Sequence, residues 1–260
     1  MRNFETINFS VADRVATISL NRPKAMNAIS QLMRQELLKA IEDCEQNENV
    51  RIVVIRAEGR GFSAGTDLSE GLAGFDTIEE QIQREYKPVI MGIVNSDKLY
   101  ISAIHGACAG IGAALAMVCD LAIMADNAYL YLPFAGLGLV PDGGMSHFVV
   151  NAMGYKKAIQ LFAESGRLPA IDCEKYGFVN KVVSAEDLES EAQSWAATLA
   201  KGAPLAQKFT KQIMRSVADS QYVDVLDKEA RLQTVCSTSS DSQKAVMAFF
   251  EKKEAIFTGE

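Results

Sequence analysis

Four short apolar runs punctuate the first half of the chain: Val15 to Leu20, Ile52 to Ile55, Leu99 to Ile104 and Leu121 to Ala125. Runs of this length read as buried strands. Between the first two, Ser30 to Asn47 has helical spacing that predicts Leu32, Leu37, Leu38 and Ile41 on one face, with Ser30 as the cap. A second helical stretch runs from Asp76 to about Val94, and a short apolar one from about Gly112 to Val118. Strands alternating with helices predict an α/β core built by repeating one unit.

The pattern changes after Gly154. Tyr155 to Glu164 and Ala170 to Tyr176 read as helices and Val179 to Val183 as a last strand. Ser184, with Asp187 three residues on, opens a helix to about Lys201, where Gly202 and Pro204 interrupt it. Further helices are predicted from Leu205 to Val217, Tyr222 to Thr234 and Asp241 to Glu254. Residues 1–200 are thus expected to form the core with the site, and residues 201–260 a helical region. Its apolar residues, Phe249, Phe250, Ile256 and Phe257 among them, call for a cover that a partner subunit would supply.

Composition narrows the function classes. The chain has 260 residues, 48% of them apolar, enough for a sizeable core. No apolar run approaches the ~20 residues of a membrane span, and the N-terminus lacks a secretory signal, so a cytoplasmic protein is expected. A net charge of -7 argues against a nucleic-acid surface. The helix from Ser30 to Asn47 mixes charge signs and is no basic stripe. Five cysteines without a CxxC pair, and two histidines, form no metal or disulfide pattern; Cys108 and Cys119 lie in apolar sequence and read as core residues.

Two glycine-rich turns each follow a predicted strand and lead towards a helix: Gly59 to Leu68, containing FSAGTDL, and His105 to Ala114, HGACAGIGAA. Glycines allow positive φ and close backbone approach, and a helix start adds unpaired amide donors. Such turns suit a developing oxyanion. Neither matches a phosphate loop or a dinucleotide fingerprint, and glycines after strands are more often simple tight connections.

Taken together, FSAGTDL and HGACAGIGAALAMVCDLAIMAD, preceded by LNRPKAMNAIS, resemble the enoyl-CoA hydratase/isomerase (crotonase) family. The resemblance continues through YLPFAGLGLVPDGG and RLPAIDCEKYGFVNKVV into AFFEKKEAIFTG, nearly the whole chain. It implies a crotonase-like spiral of repeated ββα units, followed by a helical region that packs homotrimers, often paired into hexamers. It also implies an oxyanion hole made of two backbone amides, here those of Thr66, after Gly65, and Ile111, after Gly110. Amide donors there would stabilise a thioester enolate and make the C2 proton removable. Coenzyme A is then part of an acyl-CoA substrate and no further cofactor is expected. The adenine would meet backbone near Ser63 and Ala64, and Lys24, Lys252 or Lys253 would meet phosphates. The stretch Ser69 to Arg84, polar and glycine-containing in its first half, would form a mobile wall of the acyl pocket.

The departures from the family pattern sharpen the chemistry. Where the hydratases of the family carry two glutamates, this chain has Ala114 and Phe134. Neither side chain activates water or moves a proton. A carboxylate remains at Asp142, eight residues beyond Phe134, where the resemblance to the Δ3,Δ2-enoyl-CoA isomerases implies an acid facing the acyl chain. One carboxylate suffices for a double-bond shift, because no water is added. Apolar walls from Phe134, Ile111 and Ala114 are expected to raise its proton affinity. Without the resemblance, Asp142 reads as a turn residue or cap before Gly143. Asp67 reads as support for the first turn, His105 as a turn residue and His147 as part of a helix. Three functions stay open: an isomerase using Asp142, a hydratase with unusually placed acids, and a catalytically silent acyl-CoA binder.

Overall fold

The structure, a computed structural model, describes residues 4–218 and 222–256. Its centre is a six-stranded sheet. Strands β1 (Ile7–Ala12) and β2 (Val15–Leu20) form a hairpin; helix α1 (Gln31–Gln46) then leads to β3 (Ile52–Ala57). Helices α2 (Ile78–Gln81) and α3 (Lys87–Val94) precede β4 (Leu99–Ile104). A short strand β5 (Ala107–Ala109), helix α4 (Ile111–Met117), β6 (Leu121–Ala125) and β7 (Tyr129–Tyr131) follow. Then come α5 (Met145–Met153), α6 (Tyr155–Ala163), β8 (Arg167–Pro169), α7 (Ala170–Lys175) and β9 (Lys181–Val183). The chain ends in α8 (Leu188–Ala200), α9 (Pro204–Ala218), α10 (Tyr222–Ser237) and α11 (Ser240–Phe250). The expected α/β core and helical C-terminal region are both present.

The large sheet runs β1-β2-β3-β4-β6-β9, and all of its pairings except the β1/β2 hairpin are parallel. Ile52, Val53, Val54 and Ile55 are all fully buried, as expected of a strand covered on both faces. A second, smaller sheet has the order β5-β7-β8. It is extended by two single-residue bridges, Ser63 to Cys108 and Ile29 to Thr66. Successive repeats therefore each place one strand in the large sheet and one strand, or a single bridging residue, in the small one. The glycine-rich turns lie where the chain passes from one sheet to the other.

Some expectations needed correction. Strand β1 went unread because it is an edge strand with mostly exposed side chains, and its turn uses Asp13 and Arg14 at positive φ where a glycine would have signalled a hairpin. Leu32 is exposed, and α1 buries Met33, Leu37, Ala40, Ile41 and Cys44 instead. Ser30 does cap α1, its hydroxyl accepting from the Met33 amide. The stretch from Asp76 to Val94 is not one α-helix: a π-helical turn at Ile82–Tyr86 interrupts it. Phe257 lies outside the described residues.

That π turn carries a buried polar network. Arg34 on α1 donates through Nε to Glu85 Oε2 at 2.6 Å, and through Nη1 to the Ile29 carbonyl and to the Tyr86 hydroxyl. The Tyr86 hydroxyl in turn reaches Thr66 Oγ1 at 3.3 Å. Removing the cation would strand a largely buried carboxylate, so Arg34→Met is expected to lower the unfolding free energy by about 3–5 kcal/mol. Urea denaturation of the two proteins at neutral pH measures the difference.

Candidate active site

The backbone geometry of the site is fixed by bridges between repeats. The Ser63 amide donates to the Ala107 carbonyl and the Ala109 amide to the Ser63 carbonyl; the Ile29 amide donates to Gly65, and Asp67 to Ile29. These bonds bring Gly65, at φ +95°, against Gly110, at φ +50°. A Cβ on Gly65 would lie 3.1 Å from the Ala109 carbonyl oxygen and 3.6 Å from Gly110 Cα. At Gly65 both the close contact and the positive φ call for glycine, whereas at Gly110, where a Cβ would meet only Gly65 Cα at 3.7 Å, the positive φ does.

The amides after these glycines, those of Thr66 and Ile111, donate to no acceptor among the described residues. Ile111 is the first residue of α4, where an amide has no intrahelical acceptor. Thr66 lies between Gly65, whose carbonyl is engaged by Ile29, and Asp67, whose amide is engaged by Ile29. Two unpaired donors thus flank one close contact between turns. The glycines alone allowed such close turns without specifying them; the pairing of Thr66 with Ile111 was implied by the family resemblance.

Asp142 occupies the turn before α5 and is 7% exposed. Its neighbour Gly143, at φ +68°, packs so tightly that a Cβ would lie 2.6 Å from both Ala114 Cβ and Ile111 Cδ1 and 3.3 Å from Ile90 Cδ1. The Asp142 turn and the second glycine turn are therefore in direct apolar contact. Burial pushes the Asp142 carboxyl up to about 7, against the opposing effect of a hydrogen bond from Gln233. Asp142 Oδ1 is buried and has no hydrogen-bond partner among the described residues. Phe134, also buried, meets Phe162 on α6 edge-on, with ring centroids 6.3 Å apart.

Two polar residues of α10, for which the sequence offers no local signal, enter the site. Glu229 accepts from the Gly144 amide at 2.6 Å and the Ser146 amide at 2.9 Å. Gln233 accepts from the Val140 amide at 3.0 Å and donates to Asp142 Oδ2 at 3.2 Å. Both are buried. Burial raises the Glu229 carboxyl to about 7, the bonds from Ser146 and Gly144 pull it down, and the nearby Asp142 adds a smaller upward push.

The remaining positions sort by exposure. Ser63 is fully buried: its hydroxyl donates to the Asn27 carbonyl and accepts from the Gly65 amide, so side chain and backbone alike are engaged within the turn. Ala64 is exposed and lines a cleft of about 360 Å³ with Leu68, Tyr131, Arg167, Phe249 and Lys253. The Arg167 guanidinium stands 5.1 Å and 4.9 Å from the ring centroids of Tyr129 and Tyr131. Lys24 is exposed on the 3-10 turn Pro23–Ala25 and does not line this cleft. Asp67 pairs with Arg22 at 2.8 Å and accepts from Ser69. Partial burial acts to raise its carboxyl, but the bonds from Ser69 and Arg22 outweigh that and hold it below the usual carboxylate range. His105 Nε2 lies 3.0 Å from the Gly59 carbonyl, in a turn, and His147 lies on α5.

Among the described residues no helix is long and apolar enough to cross a membrane. A model of the enoyl-CoA hydratase/isomerase family matches residues 10–260. A protein of Rhodobacter capsulatus described as a probable enoyl-CoA hydratase is 31% identical over 257 residues, 99% of each chain. The 1,2-epoxyphenylacetyl-CoA isomerase of Escherichia coli is 30% identical over 98% of this chain and 99% of its own. The crystal structure of an enoyl-CoA hydratase from Mycobacterium avium subsp. paratuberculosis superposes with a TM-score of 0.90, at 28% identity, over 98% of this chain and all of that one.

The contact at Gly143 gives a direct test of the site's construction. Gly143→Ala is expected to cost about 1–3 kcal/mol, from a left-handed backbone and two clashing side chains. Thermal unfolding checks this, and a fully native melting temperature would contradict the packing described.

Proposed function

Since the chain belongs to the enoyl-CoA hydratase/isomerase family and is an enzyme acting on acyl-CoA thioesters, we propose that it moves a double bond of an enoyl-CoA from C3 to C2. The observation that carries this reading is Asp142: a buried carboxyl with one unpartnered oxygen, in a turn packed on Ile111 and Ala114. No acid occupies position 114 or 134, so the usual water-activating pair is missing.

The thioester oxygen is held by the amides of Thr66 and Ile111, so negative charge that forms on removal of the C2 proton is met by donors already oriented. Ionised Asp142 takes that proton, giving a dienolate delocalised over C2, C3 and C4. The same carboxyl then returns the proton to C4 as the new double bond forms between C2 and C3. No water enters and no net proton is consumed. A carboxyl raised to about 7 is well matched to both halves of this transfer near neutral pH.

The cleft beside Ala64 would take the coenzyme A portion. Arg167, held over two tyrosines, and Lys253 supply cationic groups for its phosphates. Lys24 lies outside this cleft, and the backbone of Ser63 is already bonded, so Ala64 is the better adenine contact. On α9, Leu205, Phe209 and Ile213 are exposed at four-residue spacing and offer a stripe for subunit contact in a homotrimer or a dimer of trimers. A cytoplasmic location agrees with this role in acyl-CoA metabolism.

A hydratase would need a second acid. Glu229 is the nearest additional buried carboxyl, but both of its oxygens are engaged by backbone amides. That favours the one-base reaction over hydration.

Purified protein is expected to isomerise a 3-enoyl-CoA and to hydrate the matching 2-enoyl-CoA slowly. Asp142→Asn should lower isomerisation by about 100-fold or more, with acyl-CoA binding retained by equilibrium titration. Fast hydration that survives Asp142→Ala would overturn the proposal.

The raised carboxyl also has two pH signatures. Activity needs the ionised base, so kcat/KM should fall as pH drops below about 7. Stability runs the other way. A carboxyl raised in the folded state imposes no cost below its unfolded value of 3.8, and its burial becomes unfavourable as pH rises towards about 7. Asp142→Asn should therefore be more stable than the native chain at pH 8 and equal to it below about pH 4, as read from urea midpoints.

A further inference from the structure

Gln233 spans the Asp142 turn with both ends of its amide. Its Oε1 accepts from the Val140 amide and its Nε2 donates to Asp142 Oδ2, and the residue is only 1% exposed. The orientation is dictated by the partners. Turning the amide over would set a carbonyl oxygen against a carboxylate and an NH₂ against a backbone N–H, losing two buried hydrogen bonds at once. One helical turn earlier on the same face of α10, Glu229 holds the other side of the turn through Gly144 and Ser146. The four residues from Pro141 to Gly144 are thus gripped from both ends by one helix.

The consequence falls on the two oxygens of Asp142. Oδ2 is occupied by a donor, whereas Oδ1 has no partner. A carboxyl whose one oxygen accepts a fixed N–H binds its proton on the other. We infer that Gln233 is a positioning residue that reserves Asp142 Oδ1 for the transferred proton and, by donating to Oδ2, helps hold the carboxylate ionised in its buried turn. The inference rests on the reading of Asp142 as the base, and it assigns to the C-terminal helical region a part in setting the base. The other titratable groups near enough for Asp142 to act on are the Tyr86 hydroxyl, from the π turn, and Glu229, from α10, both of which it pushes up. Tyr86 is turned towards Thr66 and Arg34, and Glu229 towards backbone amides, so Gln233 is the side chain that hydrogen-bonds the carboxyl itself.

Two variants separate positioning from folding. Gln233→Glu keeps an acceptor for the Val140 amide but replaces the donor to Asp142 with a second acid. Gln233→Leu removes both contacts and leaves a buried amide unpaired, so it can fail to fold where Gln233→Glu does not. Asp142 is titrated by carboxyl-carbon NMR in the native chain and in Gln233→Glu, with Asp142→Asn identifying its signal. Isomerisation of a 3-enoyl-CoA is followed from pH 5 to 9. The expected result is an Asp142 titration moved up by about one pH unit or more, the acid limb of kcat moved with it, kcat lowered roughly tenfold at pH 7, and KM changed less than about twofold. An unmoved titration and an unmoved acid limb in Gln233→Glu, with Asp142→Asn inactive, would overturn the inference while leaving Asp142 as the base. Full isomerase activity in Asp142→Asn would instead overturn the reading beneath it, whatever the titration of Gln233→Glu.

Discussion

The contact between Gly65 and Gly110 is the constraint on which the rest of the site depends. Two turns from different repeats meet backbone to backbone, and a Cβ on Gly65 would already crowd the Ala109 carbonyl. Nothing local holds them there. Their separation is inherited from the parallel register of β3 and β4, with Ile52 opposite Leu99 and Ile55 opposite Ser102, and from the bridge between Ser63 and Cys108. A slip of one residue in that register would turn every side chain of a strand to the opposite face and separate the two amides. The apolar stretch from Ile52 to Ile55 of β3, buried on both sides, is therefore part of the site's precision although none of these side chains lies at the turns.

How far the sequence reveals this depends on the range of the interactions. The apolar runs that became β2, β3, β4 and β6 were visible because a buried parallel strand is mostly apolar, and the two turns because glycine answers to backbone geometry alone. Edge strand β1 was hidden by its polar face, and Leu32 misled because helical spacing does not say how wide the buried stripe is. The support of Asp142 was hidden for another reason. Glu229 and Gln233 lie some ninety residues away on an amphipathic helix, where polar residues ordinarily face water. Only the tertiary packing that folds α10 over the α5 N-terminus makes them buried partners of a turn.

The same packing explains why the site carries two carboxyls in a costly form. Asp142 and Glu229 are both carboxyls that burial raises to about 7, and Asp142 adds a smaller upward push on Glu229. Hydrogen bonds from Gln233 and from the Gly144 and Ser146 amides offset part of that cost without satisfying every oxygen. Leaving one acceptor unpaired in a buried place is unfavourable for folding and useful for proton transfer. A fully satisfied carboxylate would be a weaker base.

The distance in sequence between Asp142 and the helix that holds its turn has a consequence for how the molecule comes into being. A chain emerging from the ribosome can lay down β1 through β9 and both glycine turns before α10 has been made, since all of these precede residue 184. At that stage Val140, Gly144 and Ser146 have no α10 partners for their amides. The nascent core would already hold the two unpaired amides after Gly65 and Gly110 while the Asp142 turn stayed unanchored, so the turn is completed late in synthesis, with one of the final helices.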